Sequence, residues 1–308
     1  MDIHMFSALL HTMVTAGTPI VYAALGELIT ERVGILNLGV EGVMLIGSVA
    51  GFAAASQFSN HWIGLGAAII AGAITGFFYA VLCVGFKVDQ VVAGIALTTF
   101  GIGFSAFVGK PWLGLPLAVP FEDIRLPILA DIPIIGEPFF DQDALVYISY
   151  ILVPILWYFI YKTRPGLHLR SVGENPRAAD TLGINVTRMR YGYTMIGCAI
   201  AAIGGAYLTM AFVPTWFEEI TVGRGWIAVS LVIFSGWNPL IVIAGAYLFG
   251  GLDAATLYIQ AAGTNIPSHF LAMGPYILTI LVLVLAARKR KGGLGPAALA
   301  IPYDSEGQ

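Results

Sequence analysis

What most constrains this chain is a succession of apolar runs, each near the length of a bilayer-spanning helix. A span needs roughly 20 predominantly apolar residues. Such runs occupy residues 5–26, 40–58, 62–86, 88–109, 144–162, 191–213, 240–261 and 268–287. A further stretch, 225–237, is apolar but short and runs into Asn238-Pro239, which reads as a half-helix, a re-entrant piece or a short span. Composition points the same way, with 58% of the 308 residues hydrophobic and 11% charged. Soluble domains carry about 25% charged residues, and a water-soluble fold this apolar would lack polar groups to cover its surface. The expectation is an all-α, polytopic transmembrane helical bundle of about 8–10 spans with broken or re-entrant segments. Residues 1–308 read as a single transmembrane domain, with no separable soluble domain. The first run has no basic flank before it and is followed by another long run, so it reads as a span and not as a cleaved leader. Cys83 and Cys198 lie inside apolar runs and read as small buried side chains, not as a disulfide framework.

Formal net charge is −3, but the placement of the charges says more than their sum. Lys162, Arg164, Arg170, Arg177, Arg188 and Arg190 crowd into one loop, and Arg288, Lys289, Arg290 and Lys291 into the tail at 288–308. Cytoplasmic segments carry the excess of Lys and Arg, so both face inward. The loop 110–143 carries Glu122, Asp123, Asp131, Glu137, Asp141 and Asp143 against Lys110 and Arg125, and six prolines, so it reads as an irregular external loop. Alternation from these anchors puts Lys87 inside, 59–61 outside, 27–39 inside and the N-terminus outside.

Glycines are abundant, 37 in all. Gly72, Gly76, Gly101 and Gly103 read as positions of close helix approach. Glycine-rich interrupted spans around 34–51 and 235–251 are what an internally repeated transporter would show.

Two segments bear on mechanism. The first, Gly26 to Gly42, sets Glu27, Glu31, Arg32, Asn37 and Glu41 among glycines between two apolar runs. Ionisable groups at membrane depth are costly and face a bundle interior or a pathway. Either Asn37 and Glu41 line a substrate path with Glu31 and Arg32 as a nearby charge pair, or the segment is a cytoplasmic turn that a structural pair locks. The second is the basic loop 163–190. Asn175 suits a helix N-cap and Pro176 the first helical position; Arg177 to Leu182 then make about two turns, and Gly183 stops them. A short capped helix on the cytoplasmic face, built from Asn175, Pro176, Arg177, Ala178, Ala179, Asp180 and Gly183, suits docking into a soluble partner that drives the bundle.

That loop resembles the coupling helix of ABC importer permeases, with Ala178-Ala179 followed by Gly183 at the family's spacing. Gly173-Glu174-Asn175-Pro176-Arg177-Ala178-Ala179 is similar to the pattern in permeases for ribose-type sugars and nucleosides. Glu31-Arg32-Val33-Gly34 with Asn37-Leu38-Gly39-Val40-Glu41-Gly42 resembles the opening signature of the nucleoside-type branch. The resemblance covers most of 10–290. One departure is Arg177, which stands where the family has Glu before the Ala pair. The resemblance implies a cytoplasmic ATP-binding subunit that holds ATP and magnesium, a second permease of paralogous sequence, an external substrate-binding lipoprotein, and alternating access in a bacterial plasma membrane. This chain has no phosphate-binding loop of the Gly-x-x-x-x-Gly-Lys-Ser/Thr type, so it is expected to be a transporter subunit and not an enzyme, with no cofactor of its own. A ribose-like sugar or a branched-chain amino acid is the alternative substrate.

The remaining polar residues admit two readings each. Trp226, Trp237 and Asn238 either stack on a passing base or sugar or belong to an interfacial aromatic belt. Asp253 lines the path or pairs with a neighbour. Glu218, Glu219 and Arg224 either dock an external protein or form a solvated loop. Asp89-Gln90 reads as a helix start. His4, His11, His61, His168 and His269 show no metal-ligand spacing, and nothing points to nucleic acid. An ion-coupled secondary transporter would use Glu41 and Asp253 as ion sites but would have no use for a capped helix at 175–183.

Overall fold

The computed structural model describes residues 3–261, 270, 273–289 and 295–304. Its helices are α1 (Ile3–Arg32), α2 (Val40–Phe58), α3 (His61–Ala80), α4 (Gln90–Gly109), α5 (Gly136–Phe140), α6 (Ala144–Lys162), α7 (Arg164–Glu174), α8 (Pro176–Thr181), α9 (Val186–Tyr207), α10 (Arg224–Ser235), α11 (Pro239–Ala261) and α12 (Gly274–Lys289). Strands β1 (Asp123–Arg125) and β2 (Asp141–Asp143) pair antiparallel, so the external loop is less irregular than its prolines suggest. Among the described residues seven helices are long and apolar enough to cross a membrane, and α10 is a shorter apolar helix. The expected span at 268–287 is described from residue 273 on, as α12, and His269, Arg290 and Lys291 lie outside the described residues.

Contacts sort the loops onto two ends. Lys87 pairs with Asp304 at 3.0 Å, Ala300 N–H donates to the Gly34 carbonyl, and Ala298 N–H donates to that of Gly173. These segments share the end that carries the basic loop, called the cytoplasmic end after its excess of Lys and Arg. At the other end Ser7 donates to Glu137, the His61 and Phe121 rings lie 4.3 Å apart, and Gly114 N–H donates to the Trp216 carbonyl. The N-terminal part of α1 therefore lies with the acidic loop.

Helix α1 does not stop at residue 26. It continues to Arg32 because Glu27 and Glu31, which break the apolar run in the sequence, find partners inside the protein. Likewise α9 begins at Val186, five residues before the apolar run, with Arg190 buried in its first turns.

Two of the spans are broken, and the breaks are related. After α1 reaches the cytoplasmic end, residues 33–39 turn back into the bundle as turns and irregular chain, and α2 starts inside it. After α9 and its π-helical continuation Leu208–Phe212 reach the outer end, residues 213–223 descend into the bundle and α10 starts inside it. With 12 residues α10 is about 18 Å long, little more than half of a hydrocarbon core of about 30 Å. The series α1–α4 and α9–α12 thus repeat one order, long helix, broken segment, inner start and two further helices, in opposite directions across the membrane. In keeping with this, α1 packs on α9, α11 on α1 as α3 on α9, and α12 on α10 as α4 on α2. This is an inverted repeat. The first interruption is where the sequence suggests; the second is at 213–223 and not at 235–251. Gly236 in that latter stretch caps α10 at φ 65°, while Gly245 and Gly250 sit inside continuous α11, where a Cβ would collide with Leu231 and with Met13 and Gly17.

Small residues set the helix separations, since lipid offers no hydrophobic force between helices. A Cβ on Gly76 would lie 2.8 Å from the Cys198 Cβ, and one on Gly101 2.5 Å from the Gly42 Cα. Gly103 faces open space and packs nothing. Cys83 and Cys198 are free and buried.

Candidate functional site

The two broken segments meet at Glu41, in the first turn of α2. Its Oε1 accepts from the Thr221 hydroxyl and, at 2.8 Å, from Gly223 N–H; its Oε2 accepts from Gly225 N–H at 2.6 Å. Gly223 and Gly225 flank the start of α10, where backbone N–H groups lack intrahelical partners and the helix dipole favours negative charge. One carboxylate from the first repeat therefore caps the half-helix of the second. Gly225 permits this approach: a Cβ there would lie 2.6 Å from Glu41 Oε2. Glu41 is 6% exposed and joins the repeats.

The first break is satisfied group by group, as non-helical backbone in a bilayer must be. Leu36 N–H donates to Gln90 Oε1 at 2.7 Å, and its carbonyl accepts from the Tyr79 hydroxyl at 2.6 Å. Asn37 N–H donates to Glu27 Oε1 at 3.0 Å, while Asn37 Oδ1 accepts from Gly39 N–H and Nδ2 reaches Cys198 Sγ. Asn37 is 1% exposed, so it closes this turn. Asp89, as its position suggests, caps α4 through Val91 and Val92 N–H.

Glu31 and Arg32 do not form an ion pair. Successive helical side chains point about 100° apart, and each goes its own way. Glu31 Oε2 accepts from Trp237 Nε1, whereas Arg32 donates to the Tyr161 hydroxyl at 2.9 Å and the Trp237 carbonyl at 3.2 Å. Trp237 is buried at the turn between α10 and α11, and Asn238 caps α11 through Leu240 N–H. Both are structural parts of the cytoplasmic end. Trp226 and Asp253 are different. Trp226 is 39% exposed. Asp253 lies 3.2 Å from Arg224, whose guanidinium covers the Phe212 ring at 5.7 Å. Arg224 thus belongs to the α10 start inside the bundle and not to an outer docking face, which leaves Glu218 and Glu219 there, both exposed. The six path candidates divide into joints (Asn37, Glu41, Trp237, Asn238) and two separate, partly exposed side chains, Trp226 and Asp253.

The basic loop is two helices. Thr163 caps α7 by accepting from Gly166 N–H, and Pro165 stands in its first turn, so the loop opens with a helix start at Pro-Gly. The buried face of α7 is Gly166, Leu169, Val172 and Gly173. Asn175 Oδ1 accepts from Ala178 N–H at 3.0 Å and opens α8. Ile184 N–H returns to the Ala179 carbonyl, and Gly183 at φ 81° makes the left-handed exit that favours glycine. Ala179 is the buried residue of α8, while Arg177, Ala178, Asp180 and Gly183 face out and Leu182 is 80% exposed. A groove of about 980 Å³ runs beside it, walled by Leu167, Leu182, Ile184, Met189 and Tyr193. An apolar tip next to a groove at the water-facing end is a docking shape. Asn175→Ala removes the cap, worth about 1 kcal/mol. In so short a helix that loss is expected to fray α8, measured as faster amide hydrogen exchange over 176–182 at unchanged protein abundance.

Glu27, Thr221, Gly223 and Gly225 are the functional residues that sequence reasoning left unassigned. Glu27 and Glu31, four apart, share one helix face, a signal that was there to read. For the Glu41 acceptor set, Gly223-Arg224-Gly225 just before an apolar run is the only local trace.

The geometry defines a class: a membrane-embedded transport subunit with a central joint between inverted halves and a helix offered to a soluble partner. Residues 9–287 match the family described as "Branched-chain amino acid transport system / permease component", and the chain belongs to this family of ABC transporter permease subunits. It is similar to a putative glucose ABC transporter permease of Haloferax volcanii, 39% identical over 97% of this chain and 98% of the relative. It is also similar to a guanosine ABC transporter permease of Bacillus subtilis, 32% identical over 98% of both chains, and to a nucleoside ABC transporter permease of Lactococcus lactis, 35% identical over 94% of this chain and 95% of that one.

Proposed function

We propose that this permease imports a neutral nucleoside, driven by ATP bound with magnesium on a separate cytoplasmic subunit. One observation carries the neutrality of the substrate. In broken-helix transporters a half-helix N-terminus inside the membrane points at anionic substrate groups; here Glu41 already occupies the α10 N-terminus with three hydrogen bonds. An amino acid's carboxylate has no vacant dipole there. Nucleosides and sugars need none. Relatives named for guanosine and for nucleosides, together with the Gly26–Gly42 signature, support a nucleoside. The relative named for glucose favours a neutral sugar as the second reading.

In this mechanism the exposed residues of α8, Arg177, Asp180 and Leu182, seat in the ATP-binding subunit. A paralogous permease completes the pathway, and a loaded external binding protein docks over 110–143 and the exposed Glu218 and Glu219 in a bacterial plasma membrane. Closure of the ATP-binding subunits moves α7 and α8, and the Glu41 joint lets the inverted halves exchange access. Trp226, 39% exposed on α10, offers a stacking face. Base–aromatic stacking is worth about 1–3 kcal/mol, so Trp226→Ala is expected to raise the KM for nucleoside about tenfold at unchanged abundance. Uptake of labelled guanosine and labelled glucose into cells expressing the whole transporter tests the substrate. Saturable guanosine uptake that excess glucose does not compete supports the proposal; glucose uptake without nucleoside uptake overturns it.

A further inference from the structure

Residues 295–304 lie across the cytoplasmic end as a strap, and the proposed mechanism gives them no part. At one side the strap grips the helix pair: Ala298 N–H donates to the Gly173 carbonyl at 2.9 Å and Ala297 N–H to Glu174 Oε2 at 3.3 Å, both at the end of α7. Tyr303 lies within electrostatic reach of Asp180 of α8, and partial desolvation together with that carboxylate raises its phenol pKa above the ordinary value. Buried Arg190 of α9 donates to the Ile301 carbonyl at 3.0 Å. At the other side the strap grips the core. Ala300 N–H donates to the Gly34 carbonyl, at the root of the first broken segment. Gly295 lies so close to the Trp237 ring that a Cβ there would come within 2.6 Å of it, and Trp237 in turn donates to Glu31. Asp304 pairs with Lys87 in the connection from α3 to α4.

Among the described residues α8 packs mainly on α7 and, less, on α9. The strap is therefore a second physical link from the docking helix to the cytoplasmic roots of both inverted halves. Coupling travels through contiguous hydrogen-bonded and packed elements, and changes along them shift it by about 0.5–2 kcal/mol. We infer that residues 295–304 are a coupling strap: displacement of α7 and α8 pulls it, and it carries that displacement to Gly34, Trp237 and Lys87, where the two broken spans are rooted.

This inference rests on the ATP-driven reading, so its test measures two quantities. The full transporter is reconstituted in proteoliposomes, and ATP hydrolysis and guanosine uptake are followed in parallel. A chain ending at residue 294 and the double variant Tyr303→Phe with Asp304→Ala are compared with wild type. Expected is hydrolysis near the wild-type rate with uptake per ATP reduced about fivefold or more in the truncated chain and about twofold in the double variant. Wild-type uptake per ATP in both overturns the strap while leaving the transport reading intact. Should the truncated chain fail to accumulate, the double variant decides alone by the same ratio. Absence of ATP-driven uptake in the wild type overturns the reading on which the strap depends, and the strap with it.

Discussion

Glu41→Ala is expected to abolish transport and to destabilise the permease, although Glu41 touches no substrate in this account. Removing the carboxylate orphans the Thr221 hydroxyl and the N–H groups of Gly223 and Gly225, all of which it holds in the protein interior. Each buried donor left without a partner costs about 1–3 kcal/mol, and the α10 terminus loses the negative charge its dipole favours. The penalties overlap, so a total of about 3–5 kcal/mol is reasonable for the set. That corresponds to a fall of roughly 5–10 °C in the unfolding midpoint of purified protein, measured by heating and size-exclusion recovery in detergent. Glu41→Gln restores an acceptor but turns an amide N–H₂ toward a donor, so it should fall between the two. A Glu41→Ala variant with wild-type midpoint and uptake would remove the central joint from the account.

Gly183→Arg is expected to silence transport while leaving the amount of permease in the membrane unchanged. Gly183 stands at φ 81°, and nothing lies within 4 Å of where its Cβ would be. The fold therefore meets a backbone cost of about 1–2 kcal/mol for a left-handed non-glycine residue, with no collision. The added side chain projects from the exit of α8 beside Leu182, into the surface the ATP-binding subunit would cover. Gly183→Ala separates the two effects, because it carries the backbone cost alone. Uptake near wild type for Ala with loss for Arg assigns the defect to docking. Equal loss in both assigns it to the shape of the α8 exit.

Much of this was legible in the sequence because lipid imposes simple rules. The apolar runs set most of the spans, the basic and acidic loops fall at opposite ends, and Asn175-Pro176 with Gly183 set α8 to within a residue. The short run 225–237 read as a half-helix, a re-entrant piece or a short span, and the structure has the 12-residue α10 there. What escaped was the pairing of polar groups inside the bundle. Glu27 and Glu31 read as the end of a span, yet partners from residues 37 and 237 keep α1 helical past them. Arg164 to Glu174 read as loop, because an amphipathic interfacial helix has no long apolar run and opens here with Pro-Gly. The second break went unplaced, since its signal is the contact of Gly223 and Gly225 with a carboxylate some 180 residues earlier, and no local pattern encodes a tertiary partner. Glu41 and Asp253 looked alike as intramembrane acids; their partners, two glycine N–H groups and a threonine in one case and Arg224 in the other, separate them.

The most direct test is uptake of labelled guanosine in cells carrying the whole transporter, with and without a functional ATP-binding subunit, each before and after brief dissipation of the proton gradient. Expected is uptake that vanishes when the phosphate-loop lysine of the ATP-binding subunit is replaced, at unchanged permease abundance, and that survives loss of the gradient while ATP is maintained. Full uptake without a working ATP-binding subunit, collapsing with the gradient, would contradict ATP-driven import and point to ion coupling through Glu41 or Asp253.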